Sequence, residues 1–236
     1  MRYEALRAIH AKRLRRGEAD FSDREEALVA RSKRDGEDAL AYDLADSFAR
    51  HLAAQAKPEK ISALIEATRA PRGAGRIHVV GYRSSYSVAY HFAYVYGLPG
   101  GDVRLLDGPG GTGPDGLRGA GPGGALLAVS VKPYTRAAVE FVDYALSRGL
   151  GVVAITDNAV SPLARKSRAA IIVATESRSF RTMAPAFAAA EALASLLAAA
   201  AGECALAAVR GMERHSPICA KLPESHDPYS SSTDQQ

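Results

Sequence analysis

The sequence predicts an α/β fold built on a five-stranded parallel sheet with helices on both faces. Five short runs are rich in Val, Ile, Leu and Ala, and each run is apolar throughout rather than alternating with polar residues. Stretches with the apolar spacing of helices separate most of these runs. A strand buried on both faces needs no polar side, and parallel strands need crossover connections, which are usually helical. We therefore expect a three-layer α/β/α sandwich preceded by N-terminal helices.

Composition and Pro/Gly-rich boundaries divide the chain into three parts. With 236 residues, 47% hydrophobic and 24% charged, the chain suits one globular domain plus flanking helices. The cluster Pro71–Gly75 marks the first boundary because Pro and Gly interrupt regular structure. We predict a helical linker region over 1–75, the α/β domain over 76–202, and a largely disordered C-terminal extension over 203–236. The extension is predicted because its apolar pattern is weak and its end is polar.

Helical patterns come first along the chain. In the third of these segments, apolar residues recur every four positions from Leu40 to Leu52 and form a stripe along one side. After Pro58, a fourth segment is marked by Ile61, Leu64 and Ile65. The first three helices are predicted over Tyr3–Arg16, Asp23–Lys33 and Asp38–Gln55.

The five apolar runs that follow are the predicted strands. They cover Arg76–Val80, Val103–Leu106, Ala125–Val129, Gly151–Thr156 and Ala170–Ala174. One crossover helix is marked by Val88 and Phe92, and another by Val142 and Leu146, whereas the link from Asp107 to Gly124 lacks a helical pattern. A long Ala-rich helix over Arg181–Ala201 closes the domain. It contains Glu191 and is rich in Ala rather than Leu, which favours a buried helix over a membrane span.

Charge and cysteine usage exclude several classes of protein. The formal charge is +4, and the basic residues between Arg2 and Arg34 are interleaved with acidic ones, which favours a solvated helical face. DNA binding through these basic helices stays an alternative. Cys204 and Cys219 form no C-x-x-C motif, and the histidines are scattered, so we predict a reducing cytoplasmic location, no metal and no cofactor.

The first candidate site follows the first predicted strand. The segment Gly81-Tyr-Arg-Ser-Ser-Tyr-Ser87 leaves that strand and opens a helix. Ser84 or Ser85 can cap the helix, and hydroxyls beside a positive helix end form an anion site to which Arg83 adds charge. Plain helix capping, which needs only one serine, is the alternative explanation.

The second candidate site follows the third predicted strand. The segment Ser130-Val-Lys-Pro-Tyr-Thr-Arg136 has Pro133 near the first turn of a helix and Thr135 as its cap. Ser130 and Thr135 supply hydroxyls, and Lys132 or Arg136 supplies positive charge. Because parallel strands end at one edge of a sheet, the two segments together predict a phosphate bound between two helix N-termini.

The other motifs give weaker evidence of function. Gly108-Pro-Gly-Gly-Thr-Gly113 fits a dinucleotide fingerprint, but Pro114 and the glycines after it prevent the helix that must follow, and no P-loop motif occurs. Glu176 follows the last strand, where it can accept hydrogen bonds from sugar hydroxyls, act as a general base, or simply start a helix. Asp157 and Asn158 are expected to serve turn and capping roles.

Four motifs together resemble the SIS (sugar isomerase) domain of the RpiR/MurR family of transcription regulators. The resemblance implies a five-stranded parallel sheet, dimerisation through helices and binding of phosphosugars or similar sugar derivatives. It matches Ser84 and Ser85 to the serines of the family's first loop, and Ser130 and Thr135 to phosphate-contacting hydroxyls of the second. Glu176 falls where catalytic isomerases of this class often hold an acidic residue. The motifs are Gly81-Tyr-Arg-Ser-Ser-Tyr-Ser, Leu105-Leu-Asp-Gly-Pro-Gly-Gly-Thr, Ser130-Val-Lys-Pro-Tyr-Thr-Arg and Ile155-Thr-Asp-Asn-Ala-Val-Ser-Pro-Leu-Ala. The ligand-binding residues expected here are Arg83, Ser84, Ser85, Ser130, Lys132, Thr135 and Glu176.

The resemblance favours a sensor over an enzyme. Lys132 and Pro133 stand where the isomerase loop has Ser and Gly, which suits the regulator branch. Tyr3-Glu-Ala-Leu-Arg-Ala resembles the last helix of the family's helix-turn-helix domain, and we expect the recognition helix to be missing. The expected protein is thus a non-catalytic, homodimeric phosphosugar sensor that does not bind membranes and reaches DNA only through such a domain. An aldose–ketose sugar-phosphate isomerase with Glu176 as its base is the alternative.

Overall fold

A computed structural model describes residues 21–108, 112–175 and 181–215 of the chain. The strands are β1 (Ile77–Gly81), β2 (Val103–Leu105), β3 (Ala125–Val129), β4 (Gly151–Thr156) and β5 (Ala169–Ile172). The helices are α1 (Phe21–Asp35), α2 (Glu37–Ala53), α3 (Pro58–Thr68), α4 (Ser84–Gly97), α5 (Arg136–Ser147), α6 (Ala184–Ala201) and α7 (Glu203–His215). Short 3₁₀ turns occur at Ala54–Ala56 and Gly113–Leu117.

The five strands form one parallel sheet in the order β2-β1-β3-β4-β5. The predicted α/β class and the five-stranded parallel sheet are confirmed. From β1 the chain crosses through α4 to β2 on one side, whereas from β3 it crosses through α5 to β4 on the other side. The order therefore reverses between β1 and β3, which makes this position the topological switch point, where ligands bind in open α/β sheets.

Each central strand sends side chains into two separate cores, and this explains the unbroken apolar runs. In β3, Leu127 and Val129 join the core beneath α3, α4 and α6, while Leu126 and Ala128 join the core beneath α5. In β1, Val79 and Val80 divide in the same way. Successive strand residues face opposite sides, so a sheet covered on both faces requires an apolar residue at each position.

The N-terminal helices pack on the α4/α6 side of the sheet. Both α2 and α3 contact α6, and the ammonium group of Lys60 donates a hydrogen bond of 2.6 Å to the carbonyl oxygen of Ile172 in β5. The apolar stripe predicted for α2 is only partly covered, since Phe48 and Leu52 stay exposed, as do Ile61 and Ile65 of α3. We refer to these four exposed apolar side chains together as the α2/α3 face.

Several boundaries differ from the predictions. Pro58 is the first residue of α3 rather than a break before it, because a proline lacks an N–H that the first helical position does not need. The closing helix begins at Ala184 rather than Arg181. The helix predicted over Tyr3–Arg16 lies outside the described residues.

The expectation of a largely disordered segment from residue 203 is wrong for its first part. Residues Glu203–His215 form α7, which packs on α6 and buries Ala205. The weak pattern of few large apolar residues hid an amphipathic helix, since alanines supply much of its packing face. Residues 216–236 lie outside the described part.

Helix α6 is long and apolar enough, by length and composition, to pass a test for a membrane span. Its side chains nevertheless fill the core: Ala186, Ala190, Leu193 and Leu197 are buried against the sheet and α4. The packing is that of a core helix, as the sequence predicted.

Candidate functional site

A cavity of about 280 Å³ opens at the carboxyl ends of β1 and β3, at the switch point of the sheet. We call it the switch-point pocket. Six predicted binding residues line it, so the two loops converge as expected, although their role in binding stays a prediction. The lining residues are Tyr82, Arg83, Ser84, Ser85, Ser130, Val131, Lys132, Pro133, Thr135 and Arg181. The seventh predicted residue, Glu176, lies outside the described residues.

The first loop enters α4 through an unusual backbone rather than a serine cap. Arg83 occupies the N-cap position with φ 56° and ψ −129°, and no side chain caps the helix. The prediction that Ser84 or Ser85 caps α4 is therefore wrong, because both serines already belong to the first turn. Ser85 is buried and Ser84 is exposed, and both line the pocket.

Gly81 sets how close this loop comes to the sheet. A Cβ atom at this position would lie 2.4 Å from the carbonyl oxygen of Ser85 and 2.9 Å from the Cβ of Ala89. The end of β1 thus runs against the first turns of α4, and only a residue without a side chain permits that approach. Gly81 thereby holds the first loop beside the pocket.

The second loop presents hydroxyls without using them for capping. The backbone N–H of buried Ser130 donates a hydrogen bond of 3.1 Å to the carbonyl oxygen of Ile155 in the neighbouring β4. Thr135 holds the N-cap position of α5, as predicted, but its side chain makes no capping bond. Pro133 lies before the helix, not in its first turn, and follows a cis peptide bond. The hydroxyls of Ser130 and Thr135 are accordingly not hydrogen-bonded to another described residue.

Asp157, at the end of β4, is a site residue that sequence reasoning missed. Its carboxylate accepts hydrogen bonds from the hydroxyl of Tyr134 at 2.9 Å and from the backbone N–H of Lys132 at 3.3 Å. Burial and the Asp157 carboxylate raise the pKa of Tyr134 well above its usual value, so the phenol stays a donor. The expected turn chemistry belongs instead to Asn158, whose side-chain oxygen accepts from the backbone N–H of Val160.

Arg181 is the second residue that sequence reasoning missed. Its guanidinium lies 3.7 Å from the Asp157 carboxylate, its side chain is only 19% exposed, and it lines the pocket. The sequence pattern indicates Arg181 only as the start of the closing helix. Its position after the last strand, at the same sheet edge as the serines, was the signal that could have identified it.

The lining of the pocket is cationic and rich in hydroxyls. Arg83, Lys132 and Arg181 contribute positive charge, and no carboxylate occurs among the lining residues that the structure describes. Arg136 is turned away, with its guanidinium 2.6 Å from the carboxylate of Glu140. The two helix N-termini add positive potential. The arrangement is suited to holding an anion.

Proton-transfer groups are scarce around this pocket. His91 lies on α4, but its ring contacts Glu191 of α6 at 2.9 Å and does not line the cavity. Within 21–108, 112–175 and 181–215, no group of three or more His, Cys, Asp or Glu side chains is arranged to hold a metal ion. The described lining thus contains no His, Asp or Glu, and Lys132 and Tyr82 are its residues that could transfer a proton.

Comparisons with known proteins agree with the parallel α/β fold described above. The SIS domain family model matches residues 72–201, and no curated protein matches the chain in sequence. The solved sugar isomerase domain of an RpiR transcription factor from Sphaerobacter thermophilus is 27% identical, with a TM-score of 0.67 over 74% of this chain and 98% of that one.

Two further solved structures are similar in fold. The NanR protein of Vibrio vulnificus, complexed with ManNAc-6P, is 19% identical, with a TM-score of 0.65 over 80% of this chain and 72% of that one. Phosphoheptose isomerase GmhA from Neisseria gonorrhoeae is 19% identical, with a TM-score of 0.56 over 68% of this chain and 99% of that one. The fold is thus shared by regulators and by enzymes.

Proposed function

This chain belongs to the SIS domain family, and from that premise we propose that it is the effector-binding part of an RpiR-type transcription regulator. The effector is a phosphosugar or a related sugar derivative, held in the switch-point pocket. The observation that carries this proposal is the convergence of four Ser and Thr residues and three cations at the switch point, with no carboxylate in the described lining.

The chemistry of the pocket supports a phosphate group as the anchor. Hydroxyls and helix N-termini donate hydrogen bonds to phosphate oxygens, and cations neutralise its charge. Each hydrogen bond to a charged group contributes about 1.5–3 kcal/mol, so several of them hold a dianion at a solvent-connected site. NanR of Vibrio vulnificus, which resembles this chain in fold, is complexed with ManNAc-6P, a sugar phosphate. This agreement supports the ligand class.

The sensor role requires two arrangements of the protein with different affinities for the ligand. We infer that the chain forms a cytoplasmic homodimer and that the α2/α3 face packs against a second copy. Phe48, Leu52, Ile61 and Ile65 are large apolar side chains exposed on adjacent helices, which is typical of surfaces buried on association. Sedimentation velocity of the chain and of an Ile65→Glu variant tests this part: the variant is expected to be monomeric.

Calorimetry with a panel of sugar phosphates tests the ligand class. The panel contains N-acetylmannosamine 6-phosphate, arabinose 5-phosphate and glucose 6-phosphate, each beside its unphosphorylated sugar. We expect at least one phosphate ester to bind and no free sugar to bind. Ser130→Ala should weaken binding about tenfold, equal to about 1.4 kcal/mol. Ser195→Ala, at an exposed serine of α6, is the matched control and should leave binding unchanged. Absence of binding throughout the panel contradicts the proposal.

A sugar-phosphate isomerase is the second candidate, favoured by the fold that this chain shares with GmhA. Isomerisation moves a proton between adjacent carbons and needs a base within about 3 Å of that proton. The carboxylate of Asp157, which is paired with the lining residue Arg181, already accepts hydrogen bonds from the second loop. Proton NMR of each sugar phosphate with the protein in D₂O separates the candidates, because an isomerase exchanges the carbon-bound proton. Exchange that disappears in Glu176→Gln establishes the enzyme and contradicts the sensor.

A further inference from the structure

We propose that Arg181 is a ligand-binding cation of the switch-point pocket, and that Asp157 is the residue that positions it. This inference rests on the proposed function and deepens it, because it identifies which charge meets the phosphate. Arg181 lines the cavity with Arg83 and Lys132 but differs from both in being held by a buried carboxylate.

Asp157 joins three segments that are distant in sequence. Its side chain is 8% exposed and lies at the end of β4. It accepts the Tyr134 hydroxyl and the Lys132 backbone N–H from the loop after β3, and it faces Arg181 from the segment after β5. One carboxylate therefore fixes the second loop and orients the cation at the same time.

The Arg181 guanidinium keeps donors for a ligand. Its Nη1 atom is 3.7 Å from Asp157 Oδ2, which is an ion pair longer than an ordinary hydrogen bond. A guanidinium has five N–H donors in a planar fork, and the fork matches two oxygens of a phosphate. With one nitrogen facing Asp157 and no other side-chain partner among the residues that the structure describes, the remaining donors can bind an anion in the cavity that Arg181 lines. Asp157 thus reduces the conformational freedom that Arg181 loses when it binds.

Arg181 also connects the pocket to the helical layer. It precedes α6 by three positions, and the N–H of the next residue, Thr182, donates a hydrogen bond of 3.1 Å to the carbonyl oxygen of Thr175. The Thr182 hydroxyl accepts from the N–H of Ala184, the first residue of α6. Helix α6 packs on α2, α3 and α4. A ligand that engages Arg181 therefore acts at the entry of the helix on which the N-terminal helices rest.

Inorganic phosphate is the probe, since it carries the anchoring charge without the sugar. The dissociation constant follows from the phosphate-dependent rise in melting temperature at constant ionic strength, because a ligand of the folded state stabilises it. Arg181→Gln is expected to weaken binding about tenfold or more, as befits loss of a charge-assisted contact. Arg136→Gln removes the same charge from a residue that is paired with Glu140 outside the pocket. It should change the dissociation constant less than about twofold, because solvent and salt screen a charge at that position.

The Asp157→Asn variant distinguishes a positioning role of Asp157 from a purely electrostatic one, because the two roles change the affinity for phosphate in opposite directions. Removing a negative charge near the pocket strengthens anion binding if Asp157 acts only through space. Loss of the groups that hold Arg181 and the second loop weakens binding if Asp157 positions them. We expect weaker binding, accompanied by a lower pKa of Tyr134 in an ultraviolet titration, because the carboxylate that raises it is gone. Tighter phosphate binding by Asp157→Asn overturns the positioning role.

The outcomes distinguish this inference from the proposal on which it rests. Suppose that phosphate stabilises the wild-type chain, that Ser130→Ala weakens this effect and that Arg181→Gln leaves it unchanged. In that case only the role of Arg181 is wrong. If neither phosphate nor any sugar phosphate of the panel stabilises the wild-type chain, both proposals are wrong. A normal melting temperature of Arg181→Gln without phosphate shows that the variant is folded. If it is unfolded, Arg181→Lys replaces it, and the weaker point-charge contact of Lys should still lower the affinity.

Discussion

The two edges of the sheet each carry a basic cavity, and their polar groups are used differently. The cavity at the amino edge is larger, about 630 Å³ against about 280 Å³ at the switch point. Arg72, Lys166 and Arg168 line it, yet Lys166 is paired with Asp143, and the hydroxyl of Ser167 donates to the carbonyl oxygen of Leu163. At the carboxyl edge, the hydroxyls of Ser130 and Thr135 have no partner within the described residues, and two helices begin.

The difference follows from the direction of the strands. In a parallel sheet the helices that follow the strands all begin at the carboxyl edge, so positive helix ends gather there. At the amino edge the loops enter strands, and their N–H groups are taken by neighbours, as in Gly75 to Gly123 and Gly151 to Gly124. Neither volume nor charge alone distinguishes the two edges. The edge proposed to bind the ligand differs in having donors that no described residue uses.

The largest effect expected from this comparison is a difference between glycines at the two edges. Gly81→Ala places a Cβ against the Ser85 carbonyl and should reduce the free energy of unfolding by about 2–3 kcal/mol, as overpacking does. Gly75→Ala at the amino edge meets no atom within 4 Å and should change it by less than about 0.5 kcal/mol. Urea denaturation measures both values. Equal losses would contradict the close approach of β1 to α4.

Matched lysines at the two edges give the next largest effect. Lys132→Gln should weaken binding of the best sugar phosphate about tenfold, or about 1.4 kcal/mol. Lys166→Gln, at the larger cavity, should change it less than about twofold, because its charge is far from the ligand and is screened. Calorimetry at fixed ionic strength supplies the two constants. A stronger effect of Lys166→Gln would move the binding site to the amino edge.

The sequence predicted the edge but not all of its residues. Leu126 to Val129 are apolar without a break because both faces of β3 are buried, and this pattern is visible without coordinates. Parallel strands end at one edge of a sheet, so Ser84 and Ser130 could be assigned to the same edge in advance, whereas the strand order that places β1 beside β3 is seen only in the structure. Local chemistry and parallel topology were enough for these assignments.

Other features depend on contacts that spacing does not encode. Asp157 and Asn158 both have the local propensity of turn and capping residues, and only the three-dimensional arrangement separates their roles. The start of α4 was misassigned because Arg83 adopts a backbone conformation that Gly usually adopts, and no residue pattern predicts it. Tertiary packing determines the backbone conformation of Arg83 and the role of Asp157.

A smaller effect is expected at Arg83, where stability and binding should change in opposite directions. Positive φ with ψ −129° is disfavoured for a residue with a Cβ, so Arg83→Gly should relieve strain and stabilise the fold by about 1 kcal/mol. The same change removes a cation from the pocket and should weaken phosphate binding. Denaturation and calorimetry on one variant test both. Stability that falls together with affinity would show that Arg83 is not strained.

The smallest expected effect is the pH dependence of stability that arises from a histidine buried in the sheet, outside the pocket lining. His78 in β1 is buried, its Nδ1 atom has no partner within the described residues, and burial lowers its pKa, with the positive charges of Arg76 and Arg104 acting in the same direction. In the unfolded chain the ring has its ordinary pKa near 6.5, so the unfolded state binds protons first. The fold should therefore lose stability as pH falls from about 6.5 through the lowered pKa. Thermal melts across this range should flatten in His78→Gln, because the variant has no imidazole to protonate on unfolding. An unchanged slope in His78→Gln would assign the acid sensitivity to another group.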